Sequence, residues 1–396
     1  MTLAAGAAEA ALDPLDLARG RAVRAPFLIP MDGVQLQPLR AYGVVYRALR
    51  DGGRADWLLN WRGGAFQVDH PPALDECLTR GVLTEPLDVG VVRGAEAAGE
   101  TTSVHLEVAP RIAVYAPPYA APWDDAVRLA LEYAEIPYEI VWDEALLGAG
   151  LAEIDWLHLH HEDFTGQYGK YGVGVRSSDW YRQAVRLDAG TAGRLGLPDA
   201  PALKAAVAGA IRAFVERGGF LFAMCASTET LDLAIGGVPP AYDATLAFRD
   251  YRLDPSAVGP FSTIDGHRVN TPGRLPLGAV ELARFSPSVD PVPAMLTQDH
   301  AFAFPDWYGL TTSFREETLK PGIVVLAASG NGLAKYVHGH LGEGTFTFLG
   351  GHDPEDPQHA VGDPPTDLSL YPRSPGYRLI LNNVLFPAAR EEEKKT

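Results

Sequence analysis

The chain has 396 residues, of which 47% are hydrophobic and 21% charged, which is typical of a globular protein with a large core. Its 50 acidic residues outnumber its 33 Lys and Arg residues, and the net charge of -17 argues against nucleic acid or an anionic membrane surface as the main partner. Two cysteines, Cys77 and Cys225, are too few for a disulfide framework or a cysteine-rich zinc site. No apolar run reaches the roughly 18 residues of a membrane helix.

The first 25 residues are rich in Ala and carry acidic residues, without a basic segment before an apolar one. This composition does not fit a signal peptide, so we expect a loosely ordered arm over residues 1–25 and a cytoplasmic location.

Residues 26–109 are predicted to form a small α/β subdomain. A strand, an amphipathic helix and a second strand make a β-α-β unit over residues 26–30, 35–50 and 56–60. A short helix over residues 74–80 would make Cys77 structural, and the polar stretch 94–103 is the expected boundary.

The loop after the second strand contains Arg62, Gly63 and Gly64. Ligand sites of α/β proteins gather at the carboxyl ends of strands, so we expect this loop to contact a substrate.

A second α/β series occupies residues 110–388. Its apolar runs predict strands, and its segments with apolar residues every three or four positions predict helices. Because strands and helices alternate, we expect a doubly wound, mostly parallel sheet. The predicted strands are 111–115, 138–142, 154–158, 220–224, 322–327, 334–341 and 345–349, and the predicted helices are 123–135, 202–217, 226–235 and 377–385.

Three further segments complete this series. Residues 239–320 are rich in Pro and Gly with short strands, and we expect an irregular insertion covering one end of the sheet. The strands 334–341 and 345–349 flank a Gly-rich turn and predict a hairpin. The charged residues 389–396 are expected to be a solvated tail.

Cys225 stands where the strand 220–224 ends and the next helix begins. Backbone N–H groups and the helix dipole at such a turn lower a thiol pKa and favour the nucleophilic thiolate. We expect Ser227 or Thr228 to cap this helix. A free cysteine after an apolar strand is also common packing, so the stretch alone supports a nucleophile and a buried structural residue equally.

His352 leaves the predicted hairpin, with Asp353 beside it and Glu355 three residues on. A nearby carboxylate can orient an imidazole and tune its basicity, and a cysteine nucleophile needs such a base within reach. We expect His352 to serve as base, with Asp353 or Glu355 as its orienting acid. Taken alone, the segment favours an exposed Gly-Asx-Pro turn.

Histidines and carboxylates are dense over residues 158–163. Strand alternation places His158 and His160 on one face. The next residues, 161–163, begin a loop. One hypothesis is a metal-dependent hydrolase holding zinc, iron or manganese. The residues of this set are His158, His160, His161 and Asp163, with His352 as a further candidate. The other is a loop that binds substrate or an oxyanion; its members are His160, His161, Glu162, Asp163, Thr165, Gln167 and the backbone at Cys225 and Ala226.

The second hypothesis is favoured because no further set of well-spaced ligands is evident, and we therefore expect no cofactor. His338 and His340 also share a strand face, and we expect them to be a cross-strand pair on the surface.

Together the three clusters resemble the class I glutamine amidotransferase-like superfamily, in which a cysteine lies on a strand-helix elbow of a flavodoxin-like sheet. A histidine follows a late hairpin in that superfamily, with a glutamate shortly downstream. The matching positions here are Cys225, His352 and Glu355, and the resemblance covers about residues 110–388. It departs from the superfamily at the elbow, which lacks flanking glycines, and at the usual His-Pro-Glu, which here contains an inserted Asp353.

A second resemblance covers nearly the whole chain and is to a poorly characterised bacterial family sometimes labelled asparagine synthetase B. The segments that carry it are 27–32, 56–64, 158–170, 220–225, 350–356, 361–369 and 374–377. The label implies an N-terminal cysteine nucleophile and a Ser-Gly-Gly-x-Asp-Ser pyrophosphate loop. Position 2 is Thr, and no such loop is present.

These observations predict hydrolysis or transfer at an amide or similar acyl carbon of a small-molecule substrate. A catalytically silent binding module on the same fold is a third hypothesis. The sequence excludes neither a monomer nor a homo-oligomer.

Overall fold

The computed structural model describes residues 26–119, 121, 124–166, 177–236, 279–282, 303–305, 314–315, 319–329, 333–351, 353–356 and 362–385. The predicted arm 1–25, most of the predicted insertion 239–320 and the predicted tail 389–396 lie outside these ranges, as do Gln167 and His352.

The N-terminal sheet is antiparallel, with the strand order β4-β1-β3-β2-β5. Its strands are β1 (Phe27–Ile29), β2 (Arg54–Leu59), β3 (Ala65–Asp69), β4 (Glu85–Pro86) and β5 (Thr102–Leu106), and its helices are α1 (Pro38–Arg50), α2 (Pro72–Arg80) and α3 (Val89–Ala97). β1 and β2 both run antiparallel to β3, which lies between them. The expected β-α-β unit is therefore present, with one antiparallel strand inserted. The polar stretch 94–103 contains the end of α3 and the start of β5.

The larger sheet is mixed and has ten described strands. Its strands are β6 (Ile112–Tyr115), β7 (Glu139–Val141), β8 (Trp156–Leu159), β9 (Phe220–Met224), β10 (Ala279–Leu282), β11 (Ala303–Pro305), β12 (Phe314–Arg315), β13 (Val324–Ser329), β14 (Leu333–Leu341) and β15 (Gly344–Leu349). The five strands β7-β6-β8-β9-β15 are parallel, as the alternation of strands and helices predicts.

The other half of this sheet is antiparallel because the β14–β15 hairpin reverses the chain direction. β13, β10 and β11 continue outward from β14 in that pattern, and β12 pairs with β14. The described strands of the predicted insertion thus extend the edge of the sheet.

Helices cover both faces of the larger sheet. They are α4 (Ala126–Ala134), α5 (Asp143–Leu147), α6 (Asp179–Arg194), α7 (Ala200–Glu216), α8 (Ala226–Gly236) and α9 (Pro375–Leu385). One face packs against α1, α4 and α9, and the other against α5, α6, α7 and α8. This two-sided cover buries every residue of the central parallel strands β6, β8 and β9.

The two sheets share one hydrophobic core, in which α1 packs against α4 and α9. A side chain at Gly43 would place its Cβ 1.7 Å from the carbonyl oxygen of Ala134, so only glycine permits this close approach. Arg47 donates hydrogen bonds from α1 to the carbonyls of Ala134 and Glu135, at 3.2 and 2.8 Å. Within the described ranges, no helix is both long and apolar enough to span a bilayer.

Candidate functional site

Cys225 occupies a strained turn between β9 and α8. All five residues of β9 are buried, and Cys225 itself is 1% exposed. Its φ of 49° lies in the left-handed region, which costs a residue other than glycine about 1–2 kcal/mol. A nucleophile elbow, which presents a side chain at the carboxyl edge of a sheet, has this geometry.

Helix α8 begins directly at Ala226, so the prediction that Ser227 or Thr228 caps it is wrong. The turn leaves no residue between Cys225 and the helix, and Cys225 therefore holds the capping position. The hydroxyl of Thr228 donates to the Cys225 carbonyl at 2.7 Å instead of accepting a bond as a cap would. The amide of Ser227 donates to the carbonyl of His160 at 3.0 Å.

The carboxyl end of β15 lies beside the elbow. The carbonyl of Leu349 accepts hydrogen bonds from the amides of Cys225, at 3.0 Å, and Gly351, at 2.7 Å. The amides of Cys225 and Ala226 were both expected to donate to an oxyanion. Because the Cys225 amide already donates to Leu349, the Ala226 amide is the one left for this role. His352 follows Gly351 in the chain and lies outside the described residues.

Asp353 is buried, and both of its carboxylate oxygens accept hydrogen bonds. Oδ1 accepts from the amides of Glu355, at 2.8 Å, and Asp356, at 3.3 Å. Oδ2 accepts from the hydroxyl of Tyr377 in α9, at 2.6 Å. Burial raises the pKa of Tyr377, and the Asp353 charge raises it further, so this hydroxyl stays protonated. Asp353 therefore fixes the chain after β15, while the Glu355 side chain is half-buried.

Two histidines meet one aspartate at the carboxyl end of β8, on the same face as expected. Nε2 of His158 lies 3.2 Å from Oδ1 of Asp125, and Nδ1 of His160 lies 3.3 Å from the same oxygen. Nδ1 of His158 lies 2.9 Å from the carbonyl oxygen of Phe222, which can only accept a hydrogen bond. The ring of His158 is fully buried.

Asp125 is also the N-cap of α4. Its Oδ1 accepts from the amides of Val127, at 2.9 Å, and Arg128, at 3.2 Å. Burial raises the pKa of the Asp125 carboxyl, but the two histidines outweigh burial and leave that pKa well below its usual range. Sequence analysis missed Asp125 because it placed the start of this helix at residue 123; an aspartate just before an amphipathic segment was the available signal.

The predicted metal-binding set does not assemble as a unit. His161 stacks on His160 with ring centroids 3.7 Å apart, and its Nε2 lies 3.2 Å from the carbonyl oxygen of Asp124. Asp163 turns to Thr165, whose amide and hydroxyl donate to Oδ1 at 2.9 and 2.5 Å. The described cluster with metal-ligand geometry is Asp125, His158 and His160.

Glu162 links this loop to helix α8. Its carbonyl accepts a hydrogen bond from the hydroxyl of Thr230 at 3.0 Å, and its Oε2 lies 3.3 Å from the His160 amide. Burial, followed by the negative charge of Asp125, raises the pKa of Glu162 to about 7. With the Ser227–His160 bond, this contact holds the histidine loop against the Cys225 elbow.

The loop with Arg62, Gly63 and Gly64 is bonded to other segments of the protein. The Arg62 guanidinium binds Glu85 through two hydrogen bonds of 2.9 Å and Asp32 through one of 2.5 Å. Arg378 of α9 donates to the Gly63 carbonyl, and the indole of Trp57 donates to that of Gly64 at 3.1 Å. These contacts tie the N-terminal sheet to α9. They give the residues of this loop a structural role, while the contact with a substrate stays a prediction.

His338 is buried and not at the surface, so the expected surface pair is wrong in this half. Its Nδ1 lies 3.0 Å from the hydroxyl oxygen of Thr347 on the paired strand β15. His340 is exposed, and its ring meets that of His338 edge to face at 5.7 Å. Tyr336 and Val337, which precede His338, point to opposite faces of β14 and are both buried, so this part of the strand is enclosed on both faces.

No protein-family model and no curated protein match this sequence. Among solved structures, the cytoplasmic protein STM3548 of Salmonella typhimurium aligns at 14% identity and a TM-score of 0.33, over 73% of this chain and 90% of its own. The cytoplasmic protein STM1381 of Salmonella typhimurium LT2 aligns at 13% identity and 0.32, over 73% and 91%. A β-galactosidase from Bacillus circulans sp. alkalophilus aligns at 10% identity and 0.29, over 63% of this chain and 29% of its own. TM-scores of this size leave fold and function to be argued from the residues of the chain itself.

Proposed function

We propose that the protein is a cysteine-dependent hydrolase or amidotransferase-like enzyme acting at an amide or similar acyl carbon. The observation that carries this proposal is the left-handed backbone of Cys225 at the carboxyl end of a central parallel strand. A residue there is under strain that glycine would relieve, and strain of this kind clusters at catalytic positions. The resemblance to class I glutamine amidotransferases supports the same assignment.

In this proposal His352 takes the thiol proton, and the Cys225 sulfur attacks the carbonyl carbon to form a tetrahedral oxyanion. His352 then returns the proton to the leaving nitrogen as the C–N bond breaks, which leaves a thioester. Water, deprotonated by His352, attacks the thioester and releases the carboxylic acid and the thiol. The Ala226 amide is the proposed oxyanion donor.

Glu355 is the better candidate for the acid that orients His352. Both carboxylate oxygens of Asp353 already accept bonds from backbone amides or from Tyr377. Asp353 is better suited to fixing the chain on which His352 stands. We assign Asp353 a positioning role and Glu355 the orienting role.

The substrate is proposed to be a small molecule encountered in the cytoplasm. A net charge of -17 disfavours nucleic acid as the partner. We propose that Glu162 and His160 contact this substrate. Supporting this, the amide of Ser227 and the hydroxyl of Thr230 in α8 donate to the carbonyls of His160 and Glu162.

A trapping experiment tests the proposal. The full chain is mixed with p-nitrophenyl acetate, a small activated acyl donor, and nitrophenolate release is followed as peptides are mapped by mass spectrometry. We expect a burst of nitrophenolate and a hydroxylamine-labile acetyl group on the Cys225 peptide. Both should be lost in Cys225→Ser and reduced in His352→Ala.

Cys77 is the internal control, since burial raises the pKa of its thiol to about 12. Acetylation of both cysteines to the same extent, or of neither, would contradict the proposal.

A further inference from the structure

We propose that Asp125, His158 and His160 bind a divalent transition-metal ion of the zinc type. This site goes beyond the proposed acyl chemistry, because neither Cys225 nor His352 belongs to it. It also differs from the set the sequence suggests, because an aspartate from the start of α4 replaces His161 and Asp163.

The distances within the cluster fit a tetrahedral ion. The three ligand atoms all lie within 4.8 Å of one another, and two of the separations are 3.2 and 3.3 Å. Zinc ligands bind at about 2.0–2.1 Å, which places neighbouring ligand atoms of a tetrahedron about 3.3 Å apart. The two separations that involve Asp125 therefore already have the length that a tetrahedral ion requires.

The hydrogen bonds of His158 orient its ring for a metal. Nδ1 faces the Phe222 carbonyl, which requires the ring proton on Nδ1. Nε2, which then has the one remaining lone pair of the ring, faces a carboxylate oxygen of Asp125. Two electron-rich atoms held 3.2 Å apart need a cation between them, either a proton or a metal. A histidine that donates its other N–H to a backbone carbonyl is the usual arrangement of a metal ligand.

The carboxylate of Asp125 is held in place before any ion binds. The amides of Val127 and Arg128 both donate to its Oδ1, so the first turn of α4 fixes its orientation. His158 is fully buried and His160 is 3% exposed, which restricts their rotamers. Two imidazoles and one carboxylate leave a fourth position open for water or a ligand, as in catalytic zinc sites.

The site lies next to the Cys225 elbow, because the amide of Ser227 donates to the carbonyl of His160. An ion here would add positive charge near the proposed oxyanion. Metal binding is nevertheless measured without substrate, so the test is independent of the nucleophile.

Metal binding is tested on the untagged full chain after treatment with a chelator. Zn²⁺ is titrated in competition with a chromophoric chelator, and Co²⁺ is titrated while its visible absorption is recorded. We expect one equivalent of Zn²⁺ per chain and the intense d–d bands of four-coordinate cobalt. Asp125→Asn and His160→Gln should each weaken Zn²⁺ binding at least about tenfold.

Asn is as good an N-cap as Asp, so Asp125→Asn keeps the start of α4 while removing the ligand charge. The matched control is Asp199→Asn, which makes the same change at the N-cap of α7, where Asp199 accepts from Ala202. His338→Gln is a second control, at a buried histidine outside the cluster. Both controls should bind Zn²⁺ as the wild type does. A wild-type chain that binds less than one equivalent, or Asp125→Asn and His160→Gln variants that bind like the wild type, would overturn the proposal.

Discussion

The amide of Cys225 donates a hydrogen bond to the carbonyl of Leu349, and this bond joins the elbow to the strand that leads to His352. β9 and β15 are parallel neighbours in which Met224 pairs with Leu349, so both chains leave the sheet at the same edge. The sequence suggests a nucleophile directly after β9 and a base after β15. The strand register brings the carboxyl ends of these two strands together.

Replacing Cys225 by glycine should relieve backbone strain. We expect Cys225→Gly to be about 1 kcal/mol more stable than Cys225→Ala, because relief of the left-handed conformation exceeds the added chain entropy of glycine. Urea unfolding of the two variants measures the difference.

Ala223 provides the matched control, since it is buried two residues earlier in β9. There Ala223→Gly should destabilise the protein by about 1 kcal/mol. A Cys225→Gly variant that is less stable than Cys225→Ala by a similar amount would show that the elbow is not strained.

Removing the Tyr377 hydroxyl should loosen the segment that follows β15. In Tyr377→Phe the buried Oδ2 of Asp353 loses its donor, and we expect a loss of about 1–3 kcal/mol in the free energy of unfolding. The control is Tyr371→Phe, at a residue that is 39% exposed, which should leave stability nearly unchanged. Equal stability of the two variants would argue against the anchoring role of Asp353.

Lys204 neutralises a buried acidic cluster on the face of the larger sheet that packs against α5, α6, α7 and α8. Its Nζ lies 2.9 Å from Asp143 and 3.3 Å from Asp188, and all three side chains are buried. Lys204→Met would leave two buried carboxylates without their cation, and we expect it to cost about 3–5 kcal/mol in urea unfolding.

The exposed pair between Arg212 and Glu216, 2.8 Å apart, is the comparison. Arg212→Met should cost no more than about 1 kcal/mol. Similar losses in the two variants would indicate that the Lys204 cluster is hydrated and weak.

His338 should make stability depend on pH. Burial, with a smaller effect from the charge of His340, lowers its pKa to about 3, whereas the unfolded side chain titrates near 6.5. The unfolded chain therefore binds the extra proton between these values, and stability is lost as the pH falls below 6.5. At pH 5 the loss due to His338 should be about 2 kcal/mol.

His338→Gln lacks this titration, so its deficit relative to wild type should shrink by about 2 kcal/mol between pH 7.5 and pH 5. A His338→Gln deficit that is constant with pH would contradict a neutral buried ring.

Regular apolar patterns account for the parts of the fold that the sequence predicts. The predictions of β9 and of the β14–β15 hairpin are confirmed. Both were predictable because uninterrupted apolar or alternating runs mark them. The missed helix α6 buries only Ala184, Asp188, Thr191 and Ala192, and so has no apolar stripe to detect. The strands β3 and β5 were also missed, because their short runs carry weak signals. Both pair with β2 in the N-terminal sheet.

The candidate site was only partly predictable for a related reason. Cys225 directly follows the apolar strand β9 and His158 lies within the strand β8, and both strands are local signals. Asp125 is 33 residues from His158 in sequence, and only the packing of α4 on β8 brings them together. The engagement of the Cys225 amide and of both Asp353 oxygens likewise depends on contacts between distant segments.

The pH dependence of Cys225 alkylation tests the central claim most directly. The rate of reaction with iodoacetamide is read by peptide mass spectrometry in wild type and His352→Ala, with Cys77 in the same sample as reference. We expect Cys225 to react well below the ordinary thiol pKa of about 8.5, and its profile to move back toward that value in His352→Ala. A Cys225 that resists alkylation at every pH, or that titrates like Cys77, would contradict the assignment of a nucleophile.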